Sequence, residues 1–151
     1  MSQSDPNTAR KRWMAVLARA TAAEIETLVS EAAMVPSYTV LRGPEVGLAM
    51  TRARAGGGGA PFNVGEMTVT RCTVRSAEGR VGHAYVAGRD LRQAELAAAL
   101  DAALQNPARH DAIERAVIAP LAAAQENARA EVARKAAATR VQFFTMATMR
   151  S

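Results

Sequence analysis

The hydrophobic period of this chain changes from 3.6 residues to two and then back to 3.6, and few architectures accommodate that order. Near the start, Trp13, Val16, Leu17 and Ala20 share one helical stripe. Thr21 and Glu24 then have the spacing of a capping box, in which each side chain satisfies a backbone donor of the first turn. The helix so begun carries Ile25, Leu28, Val29 and Ala32, and it should stop near Met34 because Pro36 holds the residue before it in extended geometry. In the middle, residues 38–41 read as a strand and Arg42-Gly43-Pro44 as a turn. Val46, Leu48 and Met50 alternate through a half-buried strand at 45–53. Residues 67–75 and 81–87 form an antiparallel hairpin around 76–80. Helix returns after Gly88. Asp90 and Gln93 repeat the capping-box spacing, and Leu96, Ala97, Leu100 and Leu104 make one face. Asn106-Pro107 breaks that helix and starts another, since proline costs little in a first turn. Ile113, Val117, Leu121, Ala124, Ala128 and Val132 form the last stripe, which Pro120 should bend or interrupt. The expected fold class is α+β, a single domain over 9–138. It has N-terminal helices, a central, mainly antiparallel sheet of about four strands, and C-terminal helices. A loose leader at 1–8 and an extended segment at 139–151 flank it.

The core of such a domain is light. The 151 residues include three Phe, two Tyr and one Trp, and the terminal regions are rich in alanine, which favours helix but removes little apolar area from water. A domain made this way gains from partner surface. One cysteine, Cys72, excludes an internal disulfide, and with two scattered histidines it supplies no zinc spacing. No apolar run reaches the roughly 18 residues of a membrane span. The polar first ten residues lack a secretory apolar stretch, so a cytoplasmic location is expected.

The formal charge is +5, and residues 42–92 hold eight arginines, no lysines and four acids. Guanidinium forks pair well with carboxylate and phosphate, so an anionic ligand or partner stands beside the plainer reading of solvated arginines. Nucleic-acid binding is disfavoured because the few aromatics do not interleave with the basic residues as a stacking platform requires. The run Gly56-Gly57-Gly58-Gly59 lacks the lysine and hydroxyl ending of a P-loop. It suits a surface or interface loop, or a sharp fold around an anion.

Several stretches together resemble the G-subunit family of the bacterial carbon–phosphorus lyase core complex. They are Arg12-Trp13-Met14-Ala15-Val16-Leu17-Ala18, Arg42-Gly43-Pro44-Glu45-Val46-Gly47-Leu48-Ala49-Met50, Pro61-Phe62-Asn63-Val64-Gly65-Glu66, Thr68-Val69-Thr70-Arg71-Cys72-Thr73-Val74, Gly82-His83-Ala84-Tyr85-Val86-Ala87-Gly88-Arg89-Asp90 and Thr139-Arg140-Val141-Gln142-Phe143-Phe144-Thr145-Met146. The resemblance spans about residues 9–150 in the family's order. It implies an accessory, individually noncatalytic subunit that works with the I subunit principally, and with H and J subunits, two copies of each per assembly. The complex uses MgATP, from which a phosphonate displaces adenine to give ribose 1-phosphonate 5-triphosphate. The iron–sulfur cluster and S-adenosylmethionine belong to the J subunit, in keeping with a single cysteine here.

The residues also offer their own candidates. His83 sits in an apolar strand, either as a packed or interface histidine or as a general base that would need a partner. Arg89, between strand and helix start, is a candidate phosphate contact, with Arg42 and Arg54 behind it. Glu45 and Glu66 are candidates to orient a partner's arginine. Cys72 reads as a small strand residue and His110 as solvated. Val141, Phe143, Phe144 and Met146 make the terminal segment a candidate docking tail, or a cover for the chain's own sheet.

Overall fold

A computed structural model describes residues 6–34, 37–56 and 58–140. Helix α1 (Pro6–Leu17) hands over to α2 (Ala22–Glu31) at Thr21. The capping box is present: the Glu24 amide donates to Thr21 Oγ1 at 3.2 Å, and the Thr21 amide donates to Glu24 Oε2 at 2.7 Å. An antiparallel sheet follows, with strands β1 (Tyr38–Arg54), β2 (Pro61–Ser76) and β3 (Val81–Ala87) in the order β1-β2-β3. Then come α3 (Leu91–Leu104), α4 (Pro107–Ile113), a π-helical turn at Glu114–Ile118, and α5 (Ala119–Ala138). The α+β layout expected from the periods is the one observed.

The sheet has three strands because Arg42-Gly43-Pro44 is a bulge inside one long strand, where a turn was expected. Arg42 opposes Thr73 and Glu45 opposes Arg71, so Gly43 and Pro44 together stand against Cys72 alone. Gly43 has φ 76°, and a Cβ there would lie 2.6 Å from the Arg71 carbonyl oxygen, a position only glycine fits. β2 starts at Pro61, ahead of the expected boundary at Met67.

One face of the sheet is covered. Thr70, Cys72 and Val74 of β2 alternate with more exposed neighbours, and Ala84 and Val86 of β3 do the same. Against them lies α3, buried nearly all round through Ala94, Ala97, Ala98, Ala99, Ala102 and Ala103. Alanine contributes closeness here. A Cβ on Gly82 of β3 would run into the Ala98 carbonyl and lie 2.5 Å from the Ala102 nitrogen. Trp13, Val16 and Leu17 of α1, Ile25 and Val29 of α2, and Ile113, Val117, Ile118 and Leu121 complete the core.

Two sequence patterns resolve differently from their expected form. Asp90 does cap α3, accepting from the Gln93 amide at 2.9 Å, but the Gln93 side chain turns inward. It donates to the Ala18 carbonyl at 3.2 Å and to that of Ala20, satisfying the α1–α2 junction in place of a capping box. Pro120 has no amide hydrogen for the preceding turn, and the helix widens there into the π-helical turn. The last apolar stripe is buried only as far as Leu121; Ala124 and Ala128 are exposed, and Val132 is 67% exposed.

Candidate functional site

The face of the sheet opposite α3 is open, and several candidate residues meet on it. Arg42, Thr73 and His83 form one row across the three strands, and Glu45, Arg71 and Tyr85 form the next. Simple alternation would put Arg42 and Glu45, three residues apart, on opposite faces. The Gly43-Pro44 bulge returns both to the open face. Glu45 Oε1 accepts from Arg42 Nε at 2.8 Å and from Arg71 Nε at 2.7 Å. The hydrogen bond from Arg71, then that from Arg42, holds the Glu45 carboxyl below the ordinary glutamate range. Both contacts use Nε, so the terminal guanidinium nitrogens remain as donors for a carboxylate or phosphate. A shallow pocket of about 50 Å³ lies among Arg42, Arg71, Cys72, Thr73 and Tyr85.

His83 Nδ1 lies 3.2 Å from Thr73 Oγ1. Among the described residues no carboxylate orients its ring, so the arrangement lacks the third member that an activated nucleophile–base pair uses. The other candidates sit elsewhere. Arg89 is exposed between Gly88, at φ 95°, and the helix cap Asp90, with no side-chain partner among the described residues. Arg54 ends β1 opposite Pro61, and Glu66 stands opposite Met50. β2 runs without a bulge from Glu66 to Arg71, so those two point to opposite faces. Cys72 is buried, and burial, with Glu95's charge second, pushes its thiol up. Val141, Phe143, Phe144 and Met146 lie outside the described residues.

The reading of His110 as solvated is corrected. Its ring is 5.4 Å from that of Trp13, edge to face, and its Nδ1 reaches the Leu104 carbonyl at 2.9 Å. Two features went unread in the sequence. Asp101 is wholly buried in α3 and accepts from Arg10 Nε at 3.1 Å and Nη2 at 2.7 Å, from Trp13 Nε1 at 2.9 Å, and from the His83 amide at 2.9 Å. This carboxylate ties α1, α3 and β3 together. Its signal was a lone acid in the run Leu96–Leu104, on an otherwise apolar helix. The second is an open cleft of about 580 Å³ lined by Arg10, Trp13, Arg80, Gln105 and His110 among others, which takes in none of the expected ligand contacts.

The family model described as phosphonate metabolism protein PhnG matches residues 8–149. This chain belongs to the PhnG family. It is also 44% identical over 137 residues to a protein of Rhizobium meliloti (strain 1021), alpha-D-ribose 1-methylphosphonate 5-triphosphate synthase subunit PhnG, covering 91% of this chain and 87% of that one. The strand segments among the stretches that carried the resemblance are adjacent in space in this PhnG-family fold. Residues 42–50 pair with 66–73, and 69–75 pair with 81–87. Among the described residues no group of three or more His, Cys, Asp or Glu is placed to hold a metal ion, and no helix is long and apolar enough to cross a membrane.

Proposed function

We propose that this chain is an accessory, individually noncatalytic subunit of the carbon–phosphorus lyase core complex. In this reading it supports the I-subunit-dependent step in which a phosphonate displaces adenine from MgATP, giving ribose 1-phosphonate 5-triphosphate. H and J subunits stand beside it, two copies of each per assembly, in the cytoplasm. Family membership over nearly the whole chain, with a curated relative named as a synthase subunit, carries the reading. The open sheet face supports it, because Arg42 and Arg71 carry more positive charge than Glu45 neutralises and keep donors to spare. In this reading the radical chemistry belongs to the J subunit, and the single buried cysteine here is in keeping with that. The tail from Val141 to Met146 adds a second contact with the I subunit through Phe143 and Phe144.

The test is reconstitution of the purified subunits with MgATP and methylphosphonate, with and without this chain, following adenine release. Loss of release on omission, with the I subunit still folded, is expected. Release by this chain alone would end the accessory reading.

A second reading has one observation in its favour: Arg42, Thr73 and His83 share a row beside the Glu45–Arg71 pair, a geometry suited to a composite site that touches substrate phosphate. Under it, Arg71→Ala, His83→Ala or Arg89→Ala would slow adenine release in a complex that assembles normally. Under the accessory reading, the same substitutions act on assembly or not at all.

A further inference from the structure

Beyond α3 the sheet narrows to two strands. β3 pairs with β2 only from Val69 to Arg75, so β1 from Leu48 to Arg54 and β2 from Pro61 to Thr68 run on as a ribbon, over about 25 Å at roughly 3.4 Å per residue. A two-stranded ribbon in water is marginal, and this one is also apolar. Val46, Leu48 and Met50 continue the same face that α3 covers in the body, since Val46 stands opposite the buried Thr70. Leu48 is 66% exposed and Met50 54%. Phe62, Val64 and Met67 are exposed on β2.

Three properties of the ribbon identify what covers it. First, among the described residues β1 is an edge strand throughout and β2 is unpaired on its outer side from Pro61 to Met67, which leaves two rows of backbone donors and acceptors without a partner there. Another polypeptide backbone can complete them and hydrocarbon tails cannot. Second, the ribbon's charged residues are Arg52 and Arg54, at the distal end, and a lone Glu66 opposite Met50, so its net charge is positive. Third, the chain as a whole carries +5, so a second copy would bring like charge to that end. We propose that the ribbon is a docking arm that enters an apolar groove on a different protein, with acidic groups where Arg52 and Arg54 arrive, and that its open edge adds a strand to that partner. The inference rests on the subunit reading above and names the surface and the chemistry through which it is realised.

The experiment co-expresses the full chain, wild type or Leu48→Asp with Met50→Asp, with the I, H and J subunits and measures copurified chain, alongside thermal unfolding and light scattering of the chain alone. The pair of substitutions is expected to leave the thermal midpoint unchanged and to lower copurification by roughly tenfold or more. Arg52→Glu with Arg54→Glu should weaken association and flatten its salt dependence. Wild-type copurification of the Leu48/Met50 variant would overturn the arm while leaving the subunit reading intact. Failure of the wild-type chain itself to copurify would overturn both. A lowered midpoint would place Leu48 and Met50 in the chain's own core and overturn the arm. A wild-type dimer broken by the same substitutions would replace the acidic partner with a second copy, and binding of the wild-type arm to phosphatidylserine vesicles would replace it with a membrane; either overturns the proposal.

Discussion

Asp101 accepts four hydrogen bonds from three residues, Arg10 and Trp13 of α1 and His83 of β3, in two segments distant in sequence. Removing it strands the Arg10 charge, the Trp13 indole and the His83 amide together. Breaking a buried ion pair costs about 3–5 kcal/mol. Arg10 keeps 32% of its side-chain exposure and can recover some hydration, so the lower end applies. Asp101→Ala should lower the urea-unfolding free energy by about 3 kcal/mol. Asp101→Asn should cost less only in so far as one oxygen survives, because its amide nitrogen turns donor against donor. At Glu45 the chemistry is that of a surface clasp. Its folded pKa is depressed by Arg71 first and Arg42 second, so the carboxylate form is favoured. The sign follows: any stability from the clasp is present above the unfolded pKa and is lost as pH falls through the lower folded value. An NMR titration should place the Glu45 midpoint below that of an ordinary glutamate, and Arg71→Ala should raise it more than Arg42→Ala does. Equal shifts would overturn the order of the two arginines, and a midpoint already ordinary in the wild type would remove the clasp.

At the scale of elements, the contact that sets the body is β3 against α3. Gly82 meets the backbone of Ala98 and Ala102 and the Ala102 methyl, so at this point the strand approaches the helix with no side chain of its own between them. The alanines of α3 bury little area each but permit this approach, and neighbouring side chains can then fill the remaining space at interior density. Gly82→Ala must push the two elements apart or distort one of them. A loss of about 3 kcal/mol in chemical denaturation is expected, at the high end for overpacking because backbone atoms cannot rotate away. A neutral result would mean that β3 shifts outward freely. The His83–Asp101 hydrogen bond should then weaken too, and the His83 amide should lose hydrogen-exchange protection. The bulge at Gly43-Pro44 works on the same scale, since it alone brings Arg42 and Glu45 to one face.

The whole molecule divides into a helix-covered body and an uncovered ribbon. Among the described residues the buried apolar core lies in helices, at Ala20 of the α1–α2 junction, or in the parts of β2 and β3 that α3 covers. Regions with few buried contacts open at low free energy. In the free chain, amides at 46–53 and 62–67 should therefore exchange well ahead of those at 70–74, and assembly with partner subunits should slow the ribbon selectively. Uniform protection in the free chain would show that the ribbon is held by the body alone.

Local patterns were legible where their cause was local. Thr21 with Glu24, Asn106 with Pro107, and the hairpin at 76–80 each depend on residues within a few positions, and each was read from the sequence. The same holds for the α+β order, because periods of 3.6 and two follow from backbone geometry. The family, too, was legible from stretches quoted along the chain. What escaped the sequence depends on partners far along the chain. Gly43 reads as a turn until Arg71 and Cys72 of β2 occupy the space beside it. Gln93 reads as half a capping box until the end of α1 presents carbonyls nearer than its own cap. Asp101 reads as one acid on a helix until Arg10, Trp13 and the His83 amide converge on it. Val46, Leu48 and Met50 read as half-buried because alternation marks an apolar face but says nothing of what covers it. Only packing decides that α3 ends short of them, and burial is a property of neighbours that the local sequence does not contain.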